Sequence, residues 1–491
     1  MLLLLVFSVS IVVVYVYFKW NFTYWKRRKV PFINPSIPFG TAENPFARKE
    51  YIGHRIQKYY TNFKAKGWNH VGLYFFSSPS YLPIHPDYIR NIMSKHFRYF
   101  TDRGTYANEK GDPLSAHLFN LEGEKWGKLR KKLTPTFTSG KIKLMFPTLV
   151  RCSETLVKAI GKSNPIEAKE LLGCFTTDVI GSCAFGVECD SFANPDSEFR
   201  RYGKSVFTTV IKGQTLASAI AMVNPGLAQW LNIKLIPNHI TQFFMKLVHD
   251  TVSYRETNAL NRRDFMQILI DLKNSKSDDD RLSIEEMAAN TFVFFLAGFE
   301  TSSTTMAFCL YELAKNPTIQ DTLRQEISAI VKKHQAVTYE AVTEMKYLCQ
   351  VLDETLRKYP PAPLIPRVCI EDYQIPGSDA TIGKGTRIYI PVFALHHDPE
   401  YFPNPEEFVP ARFSDENSIQ RHPYVYLPFG EGPRICIGAR FGLMQAKVGL
   451  IALLRKFAFR LHEKTGSSLQ FDPTNLIPTA KNGIWLNARE L

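Results

Sequence analysis

The first eighteen residues, Met1 to Phe18, are uncharged and almost wholly apolar. As a helix they would span roughly 27 Å, enough to cross a thin bilayer. Pro31, Pro35 and Pro38 follow within eight residues and predict a stiff, extended tether, because proline fixes φ and stops a helix. Further along, Ser283 and Glu286 have the spacing of a capping box. A long helix is expected from Ile284 to about Lys315, where Asn316-Pro317 ends it. Its middle, Phe292 to Phe299, is apolar on every side and therefore belongs in a core. Another helix starts at Pro317, and one over about 343–359 stops at Pro360-Pro361. Short strands are predicted near 387–392 and 484–487. The expected fold class is mainly α with small β-sheets.

No fixed-period repeat or low-complexity run interrupts the chain. The polar stretch Lys273–Arg281 reads as a surface loop. Without a break in composition, 41–491 is expected to be one large domain, although 491 residues would allow about three. The predicted division is an anchor at 1–18, a basic, proline-rich linker at 19–40 and a body at 41–491.

Charge sharpens this division. The chain has 60 Lys+Arg against 46 Asp+Glu, a formal net charge of +14. Lys19, Lys26, Arg27, Arg28 and Lys29 follow the apolar run with no acid among them, interleaved with Trp20, Tyr24 and Trp25. Aromatic residues of this kind sit at membrane interfaces, and the basic flank puts the N-terminus in the lumen and the body in the cytosol. A cleaved signal peptide is the competing reading, but no charged region precedes the run and no small-residue cleavage site follows it. A second basic cluster, Lys125, Lys128, Arg130, Lys131, Lys132, Lys141 and Lys143, occupies 125–143. Two local clusters in a chain otherwise near neutral give no case for nucleic acid.

None of the eight cysteines forms Cys-x-x-Cys, and none has zinc spacing with histidine. Scattered thiols suit a reducing compartment, and most are expected to be small core hydrophobes. Cys436 differs, because it ends Phe429-Gly430-Glu431-Gly432-Pro433-Arg434-Ile435-Cys436-Ile437-Gly438, just before a helical stretch. Two glycines and a proline make a tight loop, and a following helix start favours a thiolate. By itself the segment fits either a buried cysteine in a Gly-Pro turn or a thiolate ligand for haem iron, with Arg434 beside a haem propionate.

The whole run resembles Phe-x-x-Gly-x-Arg-x-Cys-x-Gly, the haem-binding signature of the cytochromes P-450, at every fixed position. Other segments carry the same resemblance. Ala297-Gly298-Phe299-Glu300-Thr301 is similar to the family's oxygen-activation motif. The resemblance implies that Gly298 leaves room beside O2, that Thr301 supplies a hydroxyl and that Glu300 feeds protons inward. Trp126 and Arg130, in a Trp-x-x-x-Arg helix, with Arg367 and Arg434, would hold the haem propionates. Arg103 is expected to be an ordinary loop residue. Glu354 and Arg357 resemble the family's Glu-x-x-Arg pair, completed by Arg412 in Pro410-Ala411-Arg412-Phe413, where the usual glutamate is Ala411. These three are expected to be scaffolding.

The run Thr177–Gly186 with the Cys436 segment is similar to the insect microsomal drug- and toxin-metabolising group related to vertebrate family 3. The resemblance implies a P-450 fold behind a single transmembrane anchor helix. It implies haem b bound through Cys436, with Thr301 and Glu300 catalytic. NADPH would act only indirectly, through NADPH–cytochrome P-450 reductase and possibly cytochrome b5. It also implies an endoplasmic reticulum membrane and a lipophilic substrate met by 106–119, 205–245, 292–301, 364–368 and 478–481, with Phe119, Phe294 and Ile365 among the contacts. Lys125, Lys128, Lys131 and Lys132 would dock the reductase, or else form a solvated helix face. An isomerase or dehydratase on this fold, or a membrane-tethered carrier, remains a rival; the Glu300-Thr301 pair speaks against both.

Overall fold

The computed structural model describes residues 1–41, 49–161, 164–206, 216–277, 281–419, 421–466 and 468–491. The chain divides into two compact units. The first is Met1–Gly104 with Ala362–Pro405 and Arg421–Ile435; the second is Thr105–Pro361 with Glu406–Gln420 and Cys436–Leu491. Each unit is assembled from three separated stretches, so no shift in composition along the chain marks a boundary.

In the first unit, helix α1 (Leu2–Asn21) has no buried residue. A short helix α2 (Tyr24–Arg27) follows, and this part of the linker expected at 19–40 is packed into the unit. Trp25 is fully buried, and its indole N–H donates to the Leu73 carbonyl at 2.9 Å. Tyr24 shares a hydrogen bond with Thr386 at 2.7 Å, Lys29 pairs with Asp379 at 3.0 Å, and Val30 is buried. Trp25 is thus a core anchor and not an interfacial residue, whereas Trp20 is 61% exposed. The unit's sheet runs in the order His70–Phe75, Ser78–Pro83, Arg387–Ile390, Ile365–Val368. The middle pair is parallel, with Ser80 opposite Arg387, and the outer pairs are antiparallel. Ile388 and Ile390 alternate into the core, as a half-buried strand requires.

In the second unit the labelled helices are α3 (Gly123–Leu133), α4 (Ser139–Ile160), α5 (Ala168–Ile180), α6 (Ile284–Lys315), α7 (Lys346–Lys358) and α8 (Ala439–Leu454). The capping box of α6 forms as expected: Glu286 N–H donates to Ser283 Oγ at 3.1 Å, and Ser283 N–H to Glu286 Oε2 at 2.9 Å. Helix α6 packs against α5, α7 and α8. Rings of Phe185, Phe199, Phe244 and Phe292 surround Phe295 or one another at 4.5–6.1 Å. A ring cluster of this kind explains why so apolar a helix is internal. The helix expected over about 343–359 is α7, which starts three residues later at Lys346; Thr343 and Glu344 close a separate short helix, Tyr339–Glu344. The N–H groups of Tyr347 and Leu348 donate to Glu326 at 2.7 and 2.9 Å, so the cap that starts α7 comes from a distant helix.

Candidate functional site

In the first unit the expected site residues are Arg367 and Arg434. Gly430 and Gly432 both have φ of +73°. A Cβ on Gly432 would lie 2.0 Å from the Met93 carbonyl oxygen, so only glycine fits there. The turn Gly432–Arg434 then sets Arg434 inward, 2% exposed. Arg367, on the edge strand Ile365–Val368, is 1% exposed. Burial and the neighbouring Arg434 charge push Arg367 down to about 10. Its Nη1 donates to the Pro366 carbonyl at 2.9 Å, while its Nε finds no acceptor. Two buried guanidiniums side by side, one with an orphaned donor, are costly unless anions meet them. The carboxylates of haem fit that demand.

Asp102 and Arg103 join this cluster. Asp102 Oδ1 lies 3.8 Å from Arg434 Nη2, and Arg103 Nη2 donates to the Arg434 carbonyl at 3.3 Å. Arg103 is therefore a brace of the signature loop and not an ordinary loop residue. No local pattern marks it, because its partner lies 331 positions away.

In the second unit the expected site residues are Cys436, Trp126, Arg130, Thr301 and Glu300. Cys436 is the exposed cysteine among the eight, and α8 begins three residues later. Trp126 is buried in α3, and Arg130 lies one helical turn further on the same face. Burial holds Arg130 below the usual guanidinium range, and the opposing influence is the charge of Cys436. A cation that acts on this thiol favours its anionic form.

In α6, Ala297 is exposed and Thr301 half-buried, one turn apart, in a helix otherwise walled by side chains. Thr301 Oγ1 donates to the Ala297 carbonyl, the local back-bond expected of a mid-helix threonine. Gly298 has a different role from the expected one. A Cβ there would lie 2.5 Å from Ile180 Cδ1, so the glycine lets α6 approach α5 closely. Phe294 is likewise held in packing, 5.1 Å from the Phe137 ring and 4.7 Å from that of Phe265.

Glu300 points away from Thr301, as adjacent helical positions must, about 100° apart round the axis. It forms an ion pair with Lys169 of α5, at the wall of a cavity of about 260 Å³. Thr304 also lines this cavity, and its buried hydroxyl has no partner among the described residues. Lys169 Nζ is 3.4 Å from Thr479 Oγ1. Lys169 lies 131 positions from Glu300, beyond the reach of any sequence motif.

Of the segments expected to meet substrate, 207–215 lie outside the described residues. Loop 106–119 is clamped to the chain after Trp230. Asp112 Oδ2 accepts from the N–H groups of Leu235 and Ile236 at 2.9 and 3.2 Å, and Asn108 Nδ2 donates to Asn232 at 2.8 Å. The basic run on α3 is partly neutralised. Lys125 pairs with Glu109 at 2.6 Å, Lys128 with Glu124 at 2.8 Å, and Lys132 donates to the Arg281 carbonyl at 2.9 Å. Lys131 stays exposed.

A family model described as cytochrome P450 matches residues 44–486. The chain is 44% identical to probable cytochrome P450 6a14 of Drosophila melanogaster, over 96% of each chain. It is 41% identical to cytochrome P450 6a2 of the same fly, covering 100% of this chain and 99% of that one. Cytochrome P450 6A1 of Musca domestica is 41% identical, over 96% of this chain and 95% of its own.

Proposed function

This chain belongs to the cytochrome P450 family, whose members are haem-thiolate monooxygenases, and on that premise we propose a membrane-anchored enzyme that inserts one oxygen atom from O2 into lipophilic xenobiotics. Haem b is the proposed cofactor. Electrons come from NADPH through a flavoprotein reductase, at the cytosolic face of the endoplasmic reticulum. The observation that carries this reading is the signature loop, with an exposed Cys436 whose sulfur acts on Arg130.

Bound through a thiolate, haem supplies the chemistry of O–O cleavage. Cys436 gives that thiolate, and Arg130 favours its charged form. Arg367 and Arg434, with Trp126 and Arg130, hold the cofactor's carboxylates. The Thr301 hydroxyl holds a proton, and Glu300 exchanges protons with water in the cavity where it meets Lys169. Helix α1, apolar and without a buried residue, anchors the chain.

Two experiments test this reading. With NADPH, reductase and a lipophile, Thr301→Ala is expected to lower product formed per NADPH by about ten-fold or more, with peroxide released instead. Tight coupling in that variant would remove Thr301 from proton handling, and turnover without NADPH would favour the isomerase rival. Charge reversal at Lys131 and Lys132 is expected to raise the apparent KM for reductase on the order of ten-fold, with peroxide-driven turnover unchanged. A parallel fall in both activities would overturn the docking role.

A further inference from the structure

The first unit brings one carboxylate to its two buried guanidiniums. Asp102 Oδ1 sits 3.8 Å from Arg434 Nη2, and the Asp102 side chain is 16% exposed. At that separation the contact is Coulombic, so it orients the guanidinium without taking a hydrogen bond from it. Partial burial keeps the attraction from being screened away. The carboxylate is itself fixed, because Thr101 Oγ1 donates to the same Oδ1 at 3.0 Å. The Asp102 backbone is engaged separately. Its carbonyl accepts from Val368 N–H at 2.8 Å, tying the residue to the strand that carries Arg367. A change of side chain would leave that tie in place.

We propose that Asp102, beside Arg434, sets its negative charge against the carboxylates of the haem held by Arg434 and Arg367. The inference rests on the haem reading given above. Arg367 and Arg434, with Arg103 beside them, bring positive charge to the haem carboxylates, and Asp102 sets a negative charge against it, adding to that of the carboxylates. That charge weakens the hold on the cofactor and makes an added electron less favourable.

The test uses full-length holoprotein. Asp102→Asn keeps an acceptor for Thr101 and removes the charge, whereas Asp102→Glu keeps the charge. Asp102→Asn is expected to shift the reduction potential positively and to slow haem transfer to apomyoglobin several-fold, with Asp102→Glu near the wild-type potential. A structural brace alone would leave the potential unmoved. An unmoved potential, faster haem loss in Asp102→Asn, or an equal shift in Asp102→Glu would each overturn the proposal. The reduced-CO spectrum of the wild type separates the two levels. Without a haem-thiolate band both the haem reading and this proposal fall; with one, any of those outcomes defeats the Asp102 proposal alone.

Discussion

Replacing Cys436 with alanine is expected to abolish the reduced-CO Soret band that reports a haem-thiolate. The loss should be complete, because burial disfavours the thiolate at six of the other seven cysteines and the seventh, Cys349, is engaged on α7 by the Met345 carbonyl and by Lys447. Burial pushes the Cys152, Cys309 and Cys369 thiols up to about 12, and raises Cys174, Cys183 and Cys189 as well. A thiol held protonated is a poor ligand. Cys436 is the exposed one, and it lies on a loop whose geometry depends on Gly432 and not on the sulfur. The variant should therefore fold. Reduced-CO difference spectra, read beside the total haem content of the same sample, check the result; a band of normal position and height would end the ligand assignment.

The second large effect concerns stability. Glu354 and Arg357 of α7 are both fully buried. Arg357 donates to both Glu354 oxygens, at 2.7 and 2.9 Å, and also to the Glu407 carbonyl at 3.1 Å. Glu354 further accepts from Val409 N–H at 2.9 Å, with Arg412 Nε at 3.3 Å. Glu354→Ala would leave one buried guanidinium and one nearly buried guanidinium without their carboxylate, a loss of about 3–5 kcal/mol. A large drop in the thermal midpoint of the holoprotein is expected, with little residual folded material at growth temperature. A shift of only a degree or two would show that the cluster is not the scaffold described. Ala411 departs from the family's usual glutamate, but the Arg357 and Val409 donors and the Arg412 charge already converge on Glu354.

Much of this was readable from local pattern. Ser283, Glu286 and Asn316-Pro317 marked both ends of α6, because caps and stops act within a few residues. Trp126 with Arg130, and Glu354 with Arg357, were readable because one helical turn puts them on one face. The Cys436 loop was readable because its glycines are demanded by local backbone geometry. What was not readable depended on distant partners. Glu326 caps α7 and sets its start at Lys346, and Trp25 was assigned to a membrane interface because the strand that receives it begins 45 residues later. Gly298 was assigned to the oxygen side, but the side chain that needs its missing Cβ belongs to Ile180.

The sequence by itself determined the family, the apolar N-terminal helix, the iron-ligating cysteine proposed here and the residue types that surround it. These follow from spacing, hydropathy and glycine placement, which act over a few residues. Tertiary structure alone decided that the basic linker docks onto a sheet and that Glu300 answers to Lys169. It also decided that Arg367 and Arg434 share a buried place with Asp102, and that half the apparent basic face of α3 is already paired. Charge and burial are properties of neighbours in space, and in this chain those neighbours are often more than a hundred residues apart.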